Sequence, residues 1–178
     1  MDTNQIANIL KNDPRTKRYF KGVYAADQLP SASYKEKECY VVNTDPSYER
    51  GAHWLAIFFD HSGGEFFDSY GYPPVTYNDS FMDFMEGSGL KWSYNKKRLQ
   101  GTFSTVCGQY CVYYLVKRCN GKPMKTIVNA FGNAFDQNDK RVNRWFNHNY
   151  NASFSTHDSD LTLSQIARSF ENREVKTI

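Results

Sequence analysis

The stretch LQGTFSTVCGQYCVYYL, residues 99–115, joins a polar loop to an apolar segment. From Val106 to Cys119 almost every position is apolar, which predicts a helix that is buried on most of its sides. Ser104 and Thr105 stand just before it and are good N-cap residues, so we expect them to supply the cap. The stretch therefore predicts a central helix, against which the rest of the chain packs.

Cys107 falls in the first turn of this predicted helix. The unpaired N–H groups and the positive dipole end of a helix favour a thiolate there, and the thiolate is the nucleophilic form of cysteine. Gly108 leaves room for a substrate backbone to approach. Gln100, seven residues before the cysteine, could offer its amide to an oxyanion. The alternative for Cys107 alone is an inert buried cysteine, the class to which we assign Cys39, Cys111 and Cys119.

The composition predicts one packed domain, residues 1–178. Aromatic residues make up 16% of the chain, which argues against disorder. The net charge of +3 permits contact with polyanions without requiring it. No apolar run reaches the roughly 18 residues of a membrane helix, and the first residues lack a signal-peptide pattern. We therefore expect a protein that is not secreted, contacts no membrane and keeps its cysteines reduced.

The pattern along the chain predicts an α+β fold with the strands grouped in the middle. Periodicity and turn residues predict strands at Cys39–Asn43, His53–Asp60, Glu65–Asp68 and Trp92–Leu99, with a hairpin turn at His61–Gly64. Besides Val106–Cys119, they predict helices at Asp2–Lys11 (capped by Asp2 or Thr3), Ser80–Glu86, Met124–Phe135, Asp139–Tyr150 and Thr162–Arg173.

A cysteine nucleophile usually needs a histidine base, and the histidine needs an orienting acid or amide. His53 begins one predicted strand, and Asp68 ends the next. If these strands form an antiparallel hairpin, both residues lie near the same end of the sheet. His53, Asp68 and Cys107 are therefore candidates for a catalytic triad, with Gln100 as the oxyanion donor. Read singly, each residue would be structural, and only the joint pattern indicates catalysis.

These residues stand in blocks that resemble the adenovirus-type cysteine proteases (adenain) and, more distantly, the SUMO-specific proteases of the same clan. The blocks keep one order along the chain, although the resemblance is thin beyond about Cys119. They are YFKGVYAADQLP at Tyr19–Pro30, CYVVNTD at Cys39–Asp45, HWLAIFFD at residues 53–60, FFDSYG at Phe66–Gly71 and LQGTFSTVCGQYC at residues 99–111.

The resemblance implies a central mixed β-sheet with the Cys107 helix packed against it. It also implies that His53 is the general base, that Asp68 orients it, that Cys107 attacks the scissile carbonyl, and that Gln100 and the Cys107 N–H stabilise the oxyanion. Adenain has Glu in place of Asp68, whereas the SUMO proteases have Asp. Trp54 would shield the site, and a narrow cleft near Gly51 or Trp54 would favour small substrate residues.

The resemblance implies a cysteine endopeptidase that cleaves precursors from a virus or virus-like element, located in the virion or in the host nucleus or cytoplasm. The alternatives are a protease for ubiquitin-like modifiers and an inactive relative that binds nucleic acid. The substrates would be proteins or peptides, and we expect a monomer. DNA or a viral peptide is a candidate activator. Adenain bonds its peptide through a cysteine between its acid and its Gln, and this chain has none between Asp68 and Gln100.

Two further patterns carry weaker hypotheses. Cys107, Cys111 and Cys119 could bind zinc together with a histidine, but steps of four and eight residues along one helix are poor metal spacing, so no metal is predicted. The basic and aromatic stretch Lys91–Arg98 is a candidate for phosphate contacts with nucleic acid. Such runs are also common on solvated surfaces.

Overall fold

The computed structural model describes residues 1–31 and 34–150 of the 178-residue chain. Residues Met1–Asn143 form one compact unit, and the described residues from Arg144 onward belong to a second. The prediction of a single domain stays a prediction. The elements in chain order are α1 (Thr3–Asn12), β1 (Phe20–Tyr24), β2 (Glu38–Asn43), β3 (Trp54–Asp60), β4 (Gly63–Phe67), a 3₁₀ turn (Pro74–Thr76), α2 (Asp79–Gly87), β5 (Trp92–Tyr94), α3 (Cys107–Cys119), α4 (Met124–Asn129) and α5 (Phe135–Tyr150).

The five strands form one mixed sheet in the order β1-β2-β3-β4-β5. The central strand β3 runs antiparallel to both β2 and β4, while each edge strand runs parallel to its neighbour. Because β4 and β5 are parallel, the chain must cross over between them, and α2 lies in this crossover. The predicted mixed sheet in an α+β fold is confirmed.

Alternation along β3 sends side chains to two covered faces of the sheet. Leu55, Ile57 and Phe59 point into an apolar cluster that contains Phe81 and Phe84 of α2. On the opposite face the sheet meets α3. There the Phe67 ring of β4 stacks on Tyr114 with ring centroids 4.3 Å apart. Because both faces are covered, β2 and β3 are buried along nearly their whole length.

Helix α3 contacts β3 on one side and α1 and α4 on others. These neighbours explain why its sequence is apolar almost all round, and the prediction that the Cys107 helix packs against the sheet is confirmed. Tyr110, Cys111, Val112, Tyr114, Leu115 and Val116 are completely buried. A rigid, fully packed helix of this kind fixes the position of the residue that begins it, which is Cys107.

The predicted N-cap of α3 is wrong. The N-cap residue is Val106, and no side chain caps it. The Ser104 carbonyl instead accepts a hydrogen bond from the Gln100 side chain, at 2.7 Å, so that Ser104 belongs to the loop before the helix. The first turn of α3 therefore keeps its backbone N–H groups free of a side-chain cap.

Other boundaries differ from the predictions for local reasons. Strand β1 was not predicted. The hairpin turn is shorter than predicted because Gly63 pairs with Asp60. Strand β5 ends at Tyr94 because Asn95 turns its side chain to the backbone of Asp68. The Met124–Phe135 helix ends at Asn129 because Asn138 bonds both backbone groups of Gly132 and holds a break there.

Several predicted elements are found close to their expected bounds. Helix α1 begins after Asp2, whose side chain caps it together with Gln5 in a reciprocal pair of hydrogen bonds. The prediction of a helix at Thr162–Arg173 lies outside the described residues. No helix in the described ranges is both long enough and apolar enough to cross a membrane.

Candidate active site

Cys107 is the first residue of α3, and 9% of its surface is exposed. Within the helix, the first hydrogen bond at this end runs from the Tyr110 N–H to the Val106 carbonyl, at 3.1 Å. The N–H groups that precede Tyr110 therefore have no helical partner. The nearby backbone N–H groups of Trp54 and Gly108 also lower the pKa of the Cys107 thiol. The sulfur thus lies among donors that favour its anion.

His53 and Asp68 lie in contact at the same end of the sheet. Ala56 of β3 pairs with Phe67 of β4. His53 precedes β3 and Asp68 follows β4, so both residues lie beyond this pair at the same end of the sheet. His53 Nε2 is 2.7 Å from Asp68 Oδ1, and both side chains are buried. The expectation that this hairpin brings the two residues to one end of the sheet agrees with the structure.

The His53 ring and the Cys107 thiol lie close enough for each to shift the pKa of the other. Since Nε2 is engaged by Asp68, the ring nitrogen left for the sulfur is Nδ1. Burial opposes the charged form of His53, but the hydrogen bonds and charges of Asp68 and Cys107 outweigh it and raise its pKa from 6.5 to about 9. Burial likewise opposes the Cys107 thiolate, yet its contacts with His53 hold the thiol pKa below the ordinary value of 9.0. The pair therefore favours a thiolate beside an imidazolium.

Asp68 is completely buried and accepts four hydrogen bonds. Oδ1 accepts from His53 and from the Tyr70 N–H, at 2.7 and 2.9 Å. Oδ2 accepts from the Tyr72 N–H and the Tyr77 hydroxyl, at 2.9 and 2.8 Å. A buried carboxylate needs such partners, and here every one of them is a donor. The environment of Asp68 is therefore built for the ionised carboxylate.

Sequence reasoning missed three residues around the His53–Asp68 pair. Asn95 accepts a hydrogen bond from the Asp68 N–H and donates one to its carbonyl, at 2.8 and 2.6 Å, which fixes the backbone at that point. The rings of Tyr70 and Tyr77 lie 4.8 and 5.9 Å from the His53 ring. Tyr70 stands two residues after Asp68, and this closeness in sequence was the one feature that could have placed Tyr70 near the pair. Asn95 is 27 residues away from Asp68, and nothing in the sequence connects them.

Gln100 is completely buried in the loop before α3. Its Oε1 accepts from the Ser69 hydroxyl and its Nε2 donates to the Ser104 carbonyl, each at 2.7 Å. The Gln100 N–H also donates to the Ser69 carbonyl, at 3.1 Å. Because the oxygen is engaged by Ser69, the amide orientation is fixed with its nitrogen toward the loop that leads to Cys107. Nε2 carries two hydrogens, and the bond to Ser104 uses only one of them. Ser69 is a fourth residue that sequence reasoning missed.

The three predicted substrate-site residues occupy different surroundings. Trp54 and Gly51 line a cleft of about 430 Å³, and the Trp54 indole N–H donates to the carbonyl of Met1 at 3.2 Å. Gly51 has φ +80°, and a side chain there would collide with Asn43. The open side of Gly108 faces Met1 and Ile6. For Gly108 the structure therefore gives a packing reason, the close approach of α1 to α3, and the substrate role of all three residues stays a prediction.

Two basic side chains of the stretch Lys91–Arg98 donate hydrogen bonds to backbone carbonyls of the protein itself. Lys97 Nζ donates to the Phe131 carbonyl at 2.5 Å, and Arg98 donates to the Gln100 carbonyl at 2.8 Å. Contact of this stretch with nucleic acid stays a prediction. Among the described residues, no three His, Cys, Asp or Glu side chains are grouped so that they could hold a metal ion.

A cysteine with a lowered pKa at a helix start, an imidazole held by a buried carboxylate and an oriented amide in the loop before the helix are the parts of a cysteine-protease site. A family model described as adenovirus endoprotease matches residues 20–164. The chain therefore belongs to the adenovirus endoprotease family, and the resemblance found in the sequence is confirmed.

The proteins that are similar to this chain include two viral proteases. Protein R355 of Acanthamoeba polyphaga mimivirus, assigned as a thiol protease, is 30% identical over 97 residues, which cover 49% of this chain and 32% of the relative. The crystal structure of the African swine fever virus (ASFV) pS273R protease superposes with a TM-score of 0.54 at 18% identity, over 79% of this chain and 65% of that one. This second likeness shows the fold. The chain thus spans about a third of the mimivirus protein and about two thirds of the ASFV protease.

The ion pair can be tested by the pH dependence of Cys107 alkylation with iodoacetamide. Because His53 lowers the Cys107 pKa, the rate should rise with pH at a midpoint below 9.0, the ordinary thiol value. In His53→Ala, burial remains and the partner is lost, so the midpoint should move above that of the unsubstituted chain. Rates measured by mass spectrometry at Cys107 check this. Equal midpoints in the two proteins would contradict the pairing.

Proposed function

We propose that this protein is a cysteine endopeptidase in which Cys107, His53 and Asp68 form the catalytic triad. The observation that carries the proposal is the buried contact between His53 and Asp68, together with the opposite pKa shifts that His53 and Cys107 cause in each other. A structural histidine does not need both a buried carboxylate on one nitrogen and a thiol on the other. Membership in the adenovirus endoprotease family supports the same conclusion.

In the proposed reaction the Cys107 proton goes to His53, and the sulfur attacks the scissile carbonyl carbon. The oxyanion that forms accepts hydrogen bonds from the Gln100 amide and the Cys107 N–H. The His53 imidazolium then protonates the leaving amine as the C–N bond breaks, which leaves a thioester on Cys107. Water attacks the thioester after His53 takes its proton, and the acid product and the free thiol result. Asp68 stabilises the imidazolium in both half-reactions.

We further propose that the substrates are precursor proteins of a virus or virus-like element. The family assignment and the viral origin of both relatives support this class of substrate. The cleft beside Trp54 and Gly51 is the candidate binding region, because it adjoins the residue that follows His53.

The proposal is tested by cleavage of a proteome-derived peptide library, with new N-termini identified by mass spectrometry. The assay includes arms with added DNA and with basic peptides, since an activator is a candidate requirement. Internal cuts that disappear in Cys107→Ala would support an endopeptidase. An unchanged library in every arm, with Cys107 still reactive toward iodoacetamide, would contradict it. Cuts confined to the bond after a di-glycine would favour the modifier protease instead.

Asp68→Asn is expected to lower both activity and stability. An amide NH₂ in place of one carboxylate oxygen points a donor at groups that are all donors themselves, which costs about 1–3 kcal/mol of unfolding free energy for each partner left unpaired. Activity should fall by up to about 10⁴-fold, because the His53 ring loses its charged partner. Urea unfolding and kcat/KM measure the two effects. Tyr77→Phe, which removes only one donor to Asp68, is the matched control and should cost about 1 kcal/mol.

Ser69→Ala is expected to lower kcat by roughly 10-fold with little change in KM, because the Gln100 amide loses the partner that fixes its orientation. Gln100→Ala should cost more, roughly 10²-fold or above. The double variant should be no worse than Gln100→Ala alone, since Ser69 is proposed to act through that amide. Additive losses would show that Ser69 acts elsewhere. Ser62→Ala, which removes a hydroxyl bonded to Asp60 on the hairpin turn, is the control.

A further inference from the structure

Two buried cysteines outside the candidate active site lie in contact. Cys39 is on β2, Cys119 is the last residue of α3, and their sulfur atoms are 3.9 Å apart. Cys39 is completely buried and Cys119 is 8% exposed. Both are free thiols in this structure. The remaining cysteine, Cys111, is completely buried in the middle of α3 and has no recorded thiol partner among the described residues.

The surroundings of this pair are unequal and favour one of the two thiols as a nucleophile. The hydrogen bond with Cys39 and the charges of Lys37 and Arg118 lower the pKa of Cys119, although burial opposes this. Lys37 Nζ donates to the Cys119 carbonyl at 2.9 Å, which places the cation beside that residue. The same hydrogen bond and complete burial raise the pKa of Cys39. Cys119 is therefore the thiol that reacts first, and it is also the one that solvent reaches.

A disulfide requires the two sulfurs to approach from 3.9 Å to about 2.05 Å. The two cysteines lie on neighbouring layers of the fold, because β2 is part of the sheet and α3 packs against that sheet. Cys39 is held in the ladder opposite Phe58, and the Phe58 ring lies 4.2 Å from the Arg118 guanidinium. The packed core therefore holds the two cysteines next to each other, and the sulfurs have a gap of about 1.9 Å to close.

We propose that Cys39 and Cys119 are a redox modification site, at which a small-molecule disulfide such as oxidised glutathione converts the two thiols into an intramolecular disulfide. This goes beyond the proposed function and changes the expectation that both cysteines are inert. The Cys119 thiolate attacks one glutathione sulfur, and a glutathione thiolate leaves. Cys39 then loses its proton and attacks the Cys119 sulfur, which releases the second glutathione thiolate. Two protein thiols are oxidised, one glutathione disulfide is reduced to two thiols, and the atoms balance.

The disulfide would link the start of β2 to the end of α3 that is remote from Cys107. Twelve residues of helix separate Cys119 from Cys107, about 18 Å along the axis. The bond would close a loop of 80 residues, and a long closed loop restricts the unfolded chain strongly. Oxidation is therefore expected to raise the unfolding temperature without consuming the candidate nucleophile.

The test uses Cys107→Ala, so that the reactive nucleophile does not compete. The folded protein is incubated with oxidised glutathione, quenched in acid, alkylated in denaturant and mapped without reduction. The expected result is one linked peptide pair containing Cys39 and Cys119, with Cys111 alkylated, and a higher unfolding temperature that dithiothreitol reverses. The unsubstituted chain should give the same linked pair.

Matched variants decide whether the pair acts as proposed. Cys111→Ser should still form the linked pair, whereas Cys39→Ser should instead retain glutathione on Cys119. Recovery of Cys39 and Cys119 as separate alkylated peptides after complete equilibration would overturn the proposal. So would a stable glutathione adduct on Cys119 while Cys39 is present, or links found only between two molecules. None of these outcomes depends on proteolytic activity, so the result stands apart from that of the cleavage assay.

Discussion

Replacing Cys107 with alanine is expected to abolish peptide cleavage, with a loss of about 10⁶-fold in kcat where the assay can reach that far. The proposed reaction passes through a thioester on this sulfur, and alanine cannot form one. The variant removes one sulfur atom from a position that is 9% exposed, so the fold should persist. Cleavage rates measured on a peptide from the library assay check the loss, and circular dichroism checks the fold.

The control is Cys111→Ala, one helical turn further along α3. It removes the same atom from the same helix, but from a completely buried site that does not touch His53. We expect reduced stability, because a small cavity is left in the core, with cleavage retained in the folded protein. Full activity in Cys107→Ala, or equal loss in both variants, would contradict the assignment of the nucleophile.

Replacing His53 with alanine is expected to lower kcat by a comparable factor, about 10⁶-fold, because members of a triad act as a unit. The variant loses the base that takes the thiol proton and the acid that protonates the leaving amine. It also leaves Asp68 buried without its His53 partner, so its unfolding free energy should fall by about 1–3 kcal/mol. Both kcat and the urea midpoint are measured.

His61→Ala serves as the matched control for this variant. His61 lies in the exposed turn between β3 and β4, and its loss should change neither activity nor stability. Substantial cleavage by His53→Ala near neutral pH would contradict the role of the base. A loss of activity in His53→Ala that is fully explained by unfolding would also leave the triad without support.

The sequence was sufficient to predict the core of the fold where burial and local pattern agree. The apolar run before Asp60 is a strand because both faces of the sheet are covered, and α3 is apolar all round because it is enclosed by β3, α1 and α4. The meeting of His53 with Asp68 could also be predicted, since a tight hairpin sets both at one end of the sheet. These features are visible in local patterns of the sequence, namely apolar runs and the short spacing of a hairpin.

Features that depend on a specific contact of one side chain could not be predicted. The prediction that Ser104 caps α3 was wrong, because Gln100 bonds to the Ser104 carbonyl and holds that residue in the loop. The end of the helix before Gly132 depends on Asn138, which bonds to the Gly132 backbone. Asn95 holds Asp68 across 27 residues, and Cys39 meets Cys119 across 80. Each of these depends on one side chain reaching a group that the fold brings near, and no periodicity or spacing records such a contact.

The most direct test of the account is labelling with a peptide vinyl sulfone that ends in Gly-Gly, followed by mass mapping, with and without DNA. The expected result is an adduct on Cys107 that is lost in His53→Ala, while labelling of Cys39, Cys111 and Cys119 is the same in both proteins. An adduct on Cys107 that persists unchanged in His53→Ala would contradict the claim that His53 activates this thiol.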